Sequence, residues 1–345
     1  MYKAELPDDA TGFKVHNGET WFGGDGDLST SSTAFVFEYG GNYNAFYGTY
    51  AEEPAFADGV GARVIGHSIS LEGDIGVNFY MELAPEIAQS QTAYMLFTIP
   101  NGDKTETKTV MVSEAEQKDG YYVFKCNVAA KEMTSIIKAR IYDGDTVGDE
   151  YTYSVKEYAD YLLAHTGDNT EYAKAAPLVR AMLQYGAYAK EYFDKTNTLD
   201  PLDDVNITID DPVIGEFPEG TTFDGATLSL KSKTTLSLYL TSDVEGLTFT
   251  CVENSADGQP VREMTVENVK TETGYIARIR DIAASELKNN FTLTVKNGET
   301  VLGTITYSPM NYCYKALTGS TTNEKLKNVV KALVAYADAA KVYFG

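Results

Sequence analysis

From residue 61 onward, short runs alternate apolar and polar positions between turn signals. Ser68-Ile69-Ser70-Leu71 and Gly76-Val77-Asn78-Phe79-Tyr80 predict two strands around the turn Glu72-Gly73-Asp74, and residues 94–99, 107–112, 121–127 and 136–142 predict further strands. Asn101-Gly102, Asp119-Gly120 and Asp143-Gly144 separate them, and such pairs supply the positive backbone dihedrals of tight hairpins. Short strands at this spacing predict an antiparallel β-sandwich.

The period then changes. Ser154-Val155-Lys156-Glu157 has the form of a capping box and predicts a helix running to about His165. Asp168-Asn169-Thr170-Glu171 predicts a second helix start, with Leu178, Met182, Tyr185, Ala189 and Phe193 near one face. Pro177 predicts a kink or a restart within it. The short loop between the two helices predicts antiparallel packing.

The same pattern then recurs. Asp143-Gly144-Asp145-Thr146-Val147 matches Asn297-Gly298-Glu299-Thr300-Val301, and Tyr153-Ser154 matches Tyr307-Ser308. Leu247 to Thr250 aligns with Met95 to Thr98, and Thr227-Leu228-Ser229-Leu230 with the opening strand. Thr321-Thr322-Asn323-Glu324 starts a last helix, in which Val329, Val330, Leu333, Tyr336, Ala340, Tyr343 and Phe344 repeat Leu178, Val179, Met182, Tyr185, Ala189, Tyr192 and Phe193. A long-period repeat of this kind predicts duplicated architecture. The expected fold is α+β, mainly β: two tandem lobes, each an antiparallel β-sandwich followed by an antiparallel helical hairpin. The expected division is an N-terminal β/loop segment packed on lobe one (1–60), lobe one (61–195), a linker rich in Asp, Thr and Pro (196–219), and lobe two (220–345). Val205 to Ile209 is a candidate strand within the linker.

Charge narrows the partners. The formal net charge is -22 at pH 7, a field that repels nucleic-acid phosphates and anionic lipid surfaces. No apolar run has the length of a membrane helix. Neither nucleic acid nor membrane is therefore an expected partner. The start, Met1-Tyr2-Lys3-Ala4-Glu5, lacks a hydrophobic signal core, so an extracellular chain would have lost its signal before this point. Cys126, Cys251 and Cys313 align in the other repeat with Arg280, Ile99 and Ala159, which predicts buried free thiols rather than a bridge framework. His16, His67 and His165 lack metal-ligand spacing. Asp25-Gly26-Asp27 is a fragment of a calcium loop without its continuation, which leaves calcium there an open question. No nucleophile elbow, P-loop or dinucleotide fingerprint occurs, and no cofactor is expected.

The 25 tyrosines are the remaining chemical signal. Six pairs coincide between the repeats: Tyr80 with Tyr239, Tyr121 with Tyr275, Tyr153 with Tyr307, Tyr158 with Tyr312, Tyr185 with Tyr336, and Tyr192 with Tyr343. Residues shared by both copies serve the common fold. Those that differ are candidates for function: Tyr142 against Lys296, Tyr151 against Ile305, Tyr161 against Lys315, and Tyr314 against Asp160. The N-terminal segment adds Trp21, Tyr39, Asn42, Tyr43, Asn44 and Tyr47. Aromatic planes stack on the C–H face of a sugar ring, and amides hold its hydroxyls. These residues form the candidate carbohydrate site.

Ser68 through Tyr80, with Leu178-Val179-Arg180-Ala181-Met182-Leu183-Gln184-Tyr185-Gly186-Ala187-Tyr188, resembles a module of large secreted and surface proteins of gut ruminococci. The tandem is similar to the bilobed second domain of starch adherence system (amylosome) proteins. The resemblance covers roughly 61–193 and, more loosely, 220–345; Lys231-Ser232-Lys233-Thr234-Thr235 departs from it. It implies a non-catalytic, extracellular or cell-surface module that binds α-1,4-glucan in a groove, as a monomer within a larger multidomain protein. The alternatives are a structural or adhesion module without glycan binding, and a glycoside hydrolase with two facing carboxylates.

Overall fold

The computed structural model describes residues 60–71, 75–101, 104–195, 198–230 and 234–345, together with the backbone of short strand pairs between residues 12 and 49. Those pairs join 12–13 to 28–29, 15–16 to 21–22, and 35–37 to 46–49.

The chain is mainly β and its sheets are antiparallel. Strands β1 (Ala62–Ser70), β2 (Gly76–Leu83), β5 (Glu116–Lys118) and β6 (Tyr121–Asn127) form one sheet in the order β5-β6-β2-β1. A second sheet runs β4-β3-β7-β8, from β3 (Tyr94–Asn101), β4 (Lys104–Met111), β7 (Ile137–Asp143) and β8 (Thr146–Val147), with β9 (Tyr151–Tyr153) also on β7. Alternation sends Val77, Phe79 and Met81 of β2 and Met95, Phe97 and Ile99 of β3 into one core. There Phe79 meets Phe97 with ring centroids 5.6 Å apart. Asp119 and Gly120 adopt positive φ between β5 and β6, and Gly144 does so between β7 and β8, as the hairpin signals predict.

Beyond residue 210 the order repeats. Strands β11 (Thr221–Leu230), β12 (Thr234–Ser242), β15 (Val266–Lys270) and β16 (Gly274–Ile282) stand as β11-β12-β16-β15. Strands β10 (Val213–Ile214), β13 (Leu247–Asn254), β14 (Pro260–Met264), β17 (Asn290–Asn297) and β18 (Thr300–Tyr307) stand as β10-β18-β17-β13-β14. Register corrects one alignment. Tyr94 faces Tyr142 across β3 and β7, and Thr248 faces Lys296 across β13 and β17. Since Tyr142 matches Lys296, Tyr94 matches Thr248, two residues from the sequence alignment. Cys251 therefore matches Phe97, and Glu253 matches Ile99. Cys126, Cys251 and Cys313 are free and buried, and burial pushes each thiol up to about 12.

Glu253 is fully buried. Arg262 Nε donates to Glu253 Oε2 at 2.7 Å, and Asn289 Nδ2 donates to Oε1 at 2.7 Å. Arg262 Nη2 also donates to both oxygens of Glu286, at 2.9 and 2.8 Å. Burial raises the Glu286 carboxyl above its ordinary range. The two carboxylates share one half-exposed guanidinium, which offsets the cost of burying Glu253.

Four helices follow the sheets: α1 (Val155–Ala164), α2 (Thr170–Asp194), α3 (Pro309–Thr318) and α4 (Glu324–Phe344). Ser154 Oγ accepts from Glu157 N at 3.1 Å, and Ser308 Oγ from Met310 N at 3.2 Å. Asn169 and Asn323 cap the two long helices. Helix α2 runs as one helix through Pro177, so of the expected kink or restart there is no restart. Gly186 brings α2 close to the turn at Ala130–Glu132: a Cβ there would meet Met133 Sδ at 2.6 Å and the Ala130 carbonyl at 3.0 Å.

The long helices also pack on each other. Tyr185 and Tyr336 stack with centroids 5.8 Å apart and planes 16° apart. Lys325, early in α4, lies 3.5 Å from Glu191, late in α2, so the helices run antiparallel. Between them, residues 198–210 contain no strand, contrary to the expectation at Val205 to Ile209. Leu199, Leu202, Val205, Ile207 and Ile209 instead pack against the core. Tyr188 Oη donates to the Asp200 carbonyl at 2.7 Å, Leu202 N to Asn328 Oδ1 at 3.3 Å, and Lys331 Nζ to the Leu202 carbonyl at 2.8 Å.

Candidate functional site

Strands β3 and β7 bury every second residue, so the intervening side chains form an outer face. Tyr94, Leu96 and Thr98 stand opposite Tyr142, Arg140 and Lys138. Thr107, Thr109 and Met111 of β4 extend these rows beside Thr98, Leu96 and Tyr94. All of these residues are half-buried or exposed.

Cross-strand pairing brings the Tyr94 and Tyr142 rings together, centroids 5.4 Å apart and planes within 10°. Glu150 completes the polar border. Its carboxylate lies 3.1 Å from Lys138 Nζ and 3.3 Å from Arg140 Nε. The Arg140 contact is an ion pair without hydrogen-bond geometry, since its Nε is buried and has no hydrogen-bond partner. Leu96, Thr98, Lys138, Arg140, Tyr142 and Glu150 line a shallow cleft of about 320 Å³. The strand end is pinned by Asp143, whose carboxylate accepts from Thr92 Oγ1 at 2.7 Å and Ser90 Oγ at 2.8 Å. These hydrogen bonds, Thr92 first, hold its carboxyl below the usual range. A flat aromatic pair, an aliphatic neighbour, hydroxyls and a forked cation can together take the C–H face and the hydroxyl rim of a sugar.

A second cleft of about 400 Å³ lies on the outer face of the β5-β6-β2-β1 sheet, lined by Ser70, Asn78, Tyr80, Lys118 and Lys125 among others. Tyr80 Oη and Ser68 Oγ are 3.1 Å apart, and Tyr239 and Thr227 repeat that pair at 3.1 Å. The contact belongs to the shared scaffold.

The sequence candidates fall in different places. Tyr142 stands in the aromatic pair. Tyr151 is half-buried: its ring packs against the core, its hydroxyl donates to the Ala62 carbonyl at 3.0 Å, and burial raises its pKa. Tyr161 is 51% exposed on α1, against His165 at 4.1 Å and Tyr172 at 6.3 Å. Tyr314 is 41% exposed on α3. Tyr142, Tyr161 and Tyr314 thus sit on three separate elements. Tyr39, Asn42, Tyr43, Asn44, Asp25 and Asp27 lie outside the described residues, as do the side chains of Trp21 and Tyr47. Tyr94, which also differs between the repeats, is not among the site residues named from the sequence. Its signal is its parity on β3, the same as Leu96 and opposite to the buried Met95.

Of the shared tyrosines, Tyr185, Tyr275, Tyr307 and Tyr336 are buried. His67 stacks on Tyr153 at 4.0 Å and meets Phe79 edge-on at 4.9 Å. Among the described residues, no group of His, Cys, Asp or Glu is arranged to hold a metal ion, and no helix is long and apolar enough to cross a membrane. No protein-family model matches this chain, and no curated protein matches it.

Proposed function

We propose that this chain is a non-catalytic carbohydrate-binding protein that holds an α-1,4-glucan against the Tyr94–Tyr142 face. On this reading the two halves are tandem copies of one lobe, a β-sandwich closed by a helical hairpin. Among the described residues, the first copy alone has an aromatic pair on its outer face. The carrying observation is that Tyr94 and Tyr142, 48 residues apart, stack beside Leu96 and Arg140, while the equivalent positions hold Thr248 and Lys296. A glucose ring lies on the tyrosine planes, with Arg140, Thr98 and Thr109 in reach of neighbouring hydroxyls. The site is an open platform, which suits an inner stretch of a long polymer. The chain acts outside the cell or at its surface, as a monomeric part of a larger protein.

Affinity electrophoresis in amylopectin tests this directly. Retarded migration is expected for the native chain. Tyr142→Ala and Tyr94→Ala should each weaken binding by about tenfold or more, the size of a central aromatic contact. Unretarded migration of the native chain, across a panel of glycans, overturns the reading.

A further inference from the structure

The seam between α2 and α4 contains residues that correspond to each other in the two halves. Tyr185 is the counterpart of Tyr336, and the two rings stack face to face. Equivalent residues touch only where a twofold relation passes between them. The antiparallel course of the helices satisfies that relation. Lys325 approaches Glu191 at one end; Lys174, the counterpart of Lys325, pairs with Glu171 of its own helix at 2.6 Å.

The flanking positions are nearly matched in volume. By helical spacing Leu178, Met182 and Ala189 share the side of Tyr185; they correspond to Val329, Leu333 and Ala340, and all are buried. Replacing the α4 face by a second α2 face therefore changes these positions by few methylene groups, a change cores tolerate; Tyr188, whose counterpart is Ala339, is held by the Asp200 carbonyl and lies outside this match. The charged ends are not matched in the same way. Lys325 corresponds to Lys174, but Glu191 corresponds to Val342, which is 87% exposed. Helix α2 alone carries both members of the Lys–Glu pair. An α2–α2 pairing makes that ion pair at both ends; the present α2–α4 seam makes it at one; an α4–α4 pairing makes it at neither. Glu191 Oε2 is buried without a hydrogen-bond partner in the present arrangement.

We infer that the seam face of α2 is self-complementary and docks on the same face of a second copy of this chain as a twofold homodimer whenever α4 withdraws. In the native chain α4 occupies the face because covalent connection through the same chain, and the contacts of residues 198–210 with it, hold it at an effective concentration on the order of millimolar. The chain is thus a closed form of a homodimer interface, and its first half retains the open form's specificity.

The test uses the full-length chain with the α4 face spoiled. Tyr336→Arg should convert the monomer to a dimer by light scattering after gel filtration, and adding Tyr185→Arg should return it to a monomer. In the Tyr336→Arg background, Glu191→Lys sets two cations against each other at both ends and should weaken the dimer by about tenfold or more. Adding Lys174→Glu should restore it. Restoration by the charge swap separates docking through this face from nonspecific association. Ala340→Glu, at the end of the seam, provides a second way to spoil α4 if Tyr336→Arg lowers the helical circular dichroism. A chain that stays monomeric, or aggregates without a dimer, in both variants overturns the inference. So does a dimer indifferent to the charge swap.

Discussion

Ile99 and Glu253 occupy the same place in equivalent strands, yet one is an alkyl side chain and the other a carboxylate. Both are fully buried. Around Ile99 the core is closed by apolar contact. Around Glu253 it is closed by Arg262 and Asn289. Glu106, which stands opposite Ile99 as Arg262 stands opposite Glu253, carries the other sign of charge and pairs with Lys108 at 3.3 Å. Matching positions in the two strand orders thus hold two different solutions, the carboxylate bringing its cation with it. The outer faces show the reverse. The first half places Tyr94 on Tyr142, where the second places Thr248 opposite Lys296. The ionic specialisation of one half is internal; the aromatic specialisation of the other is on the surface, where a ligand can use it.

The largest test of this contrast is Arg262→Met. It leaves Glu253 buried without its cation and should cost about 3–5 kcal/mol in urea unfolding. Combining it with Glu253→Ile, which copies the first half, should recover most of that loss. The next is Gly186→Ala on α2. Its Cβ meets Met133 and the Ala130 carbonyl and should cost about 1–3 kcal/mol. The reverse change in the other half, Ala337→Gly, should cost only about 1 kcal/mol, the helix-propensity difference. For binding, Tyr142→Ala should weaken glucan retention about tenfold, or about 1.4 kcal/mol, while Lys296→Ala leaves it unchanged. Equal losses at both positions would erase the difference between the two faces.

The smallest effect is one of pH. Burial holds the His67 imidazole below its ordinary 6.5, with Glu157 opposing. The unfolded chain then takes up the proton first. The contribution is complete above the unfolded value and is lost as pH falls through the folded one. The urea midpoint should decline as pH drops below about 6.5, and His67→Phe should flatten that part of the curve. Position 67 has Ala226 as its counterpart two strands from β16, so the second half contributes nothing similar.

Local signals carried much of this structure. Glycines after Asp or Asn announce hairpins that have the required positive φ at Gly120, Gly144 and Gly298. Ser154, Ser308, Asn169 and Asn323 each sit where a helix needs an acceptor for its first amides. What involves distant segments was harder to read. Tyr94 and Tyr142 become neighbours only through strand pairing, and a repeat comparison marks Tyr142 without pointing to its partner. Tyr151 differs between the copies for a structural reason: its hydroxyl ties β9 to the start of β1. The seam was hidden because α2 is apolar on more than one side. Val179 and Ala176 are buried as well as Leu178 and Ala175, too wide a stripe for one contact. The register of β13 was misread by two residues, since alternating strands align almost equally well at every even offset.

The segment at 198–210 determines how the molecule responds to a cut. It is bonded to α2 through Tyr188 and to α4 through Asn328 and Lys331. Its carbonyl at Asp210 also receives Asn311 Nδ2 from α3 at 2.7 Å. Cleaving the backbone near Lys195 would therefore sever the chain without releasing its parts. The fragments stay joined by the tyrosine stack and by a strip of main chain threaded along both long helices. A digest would show two bands under denaturing conditions and one particle in solution, so covalent continuity at that point serves assembly more than cohesion.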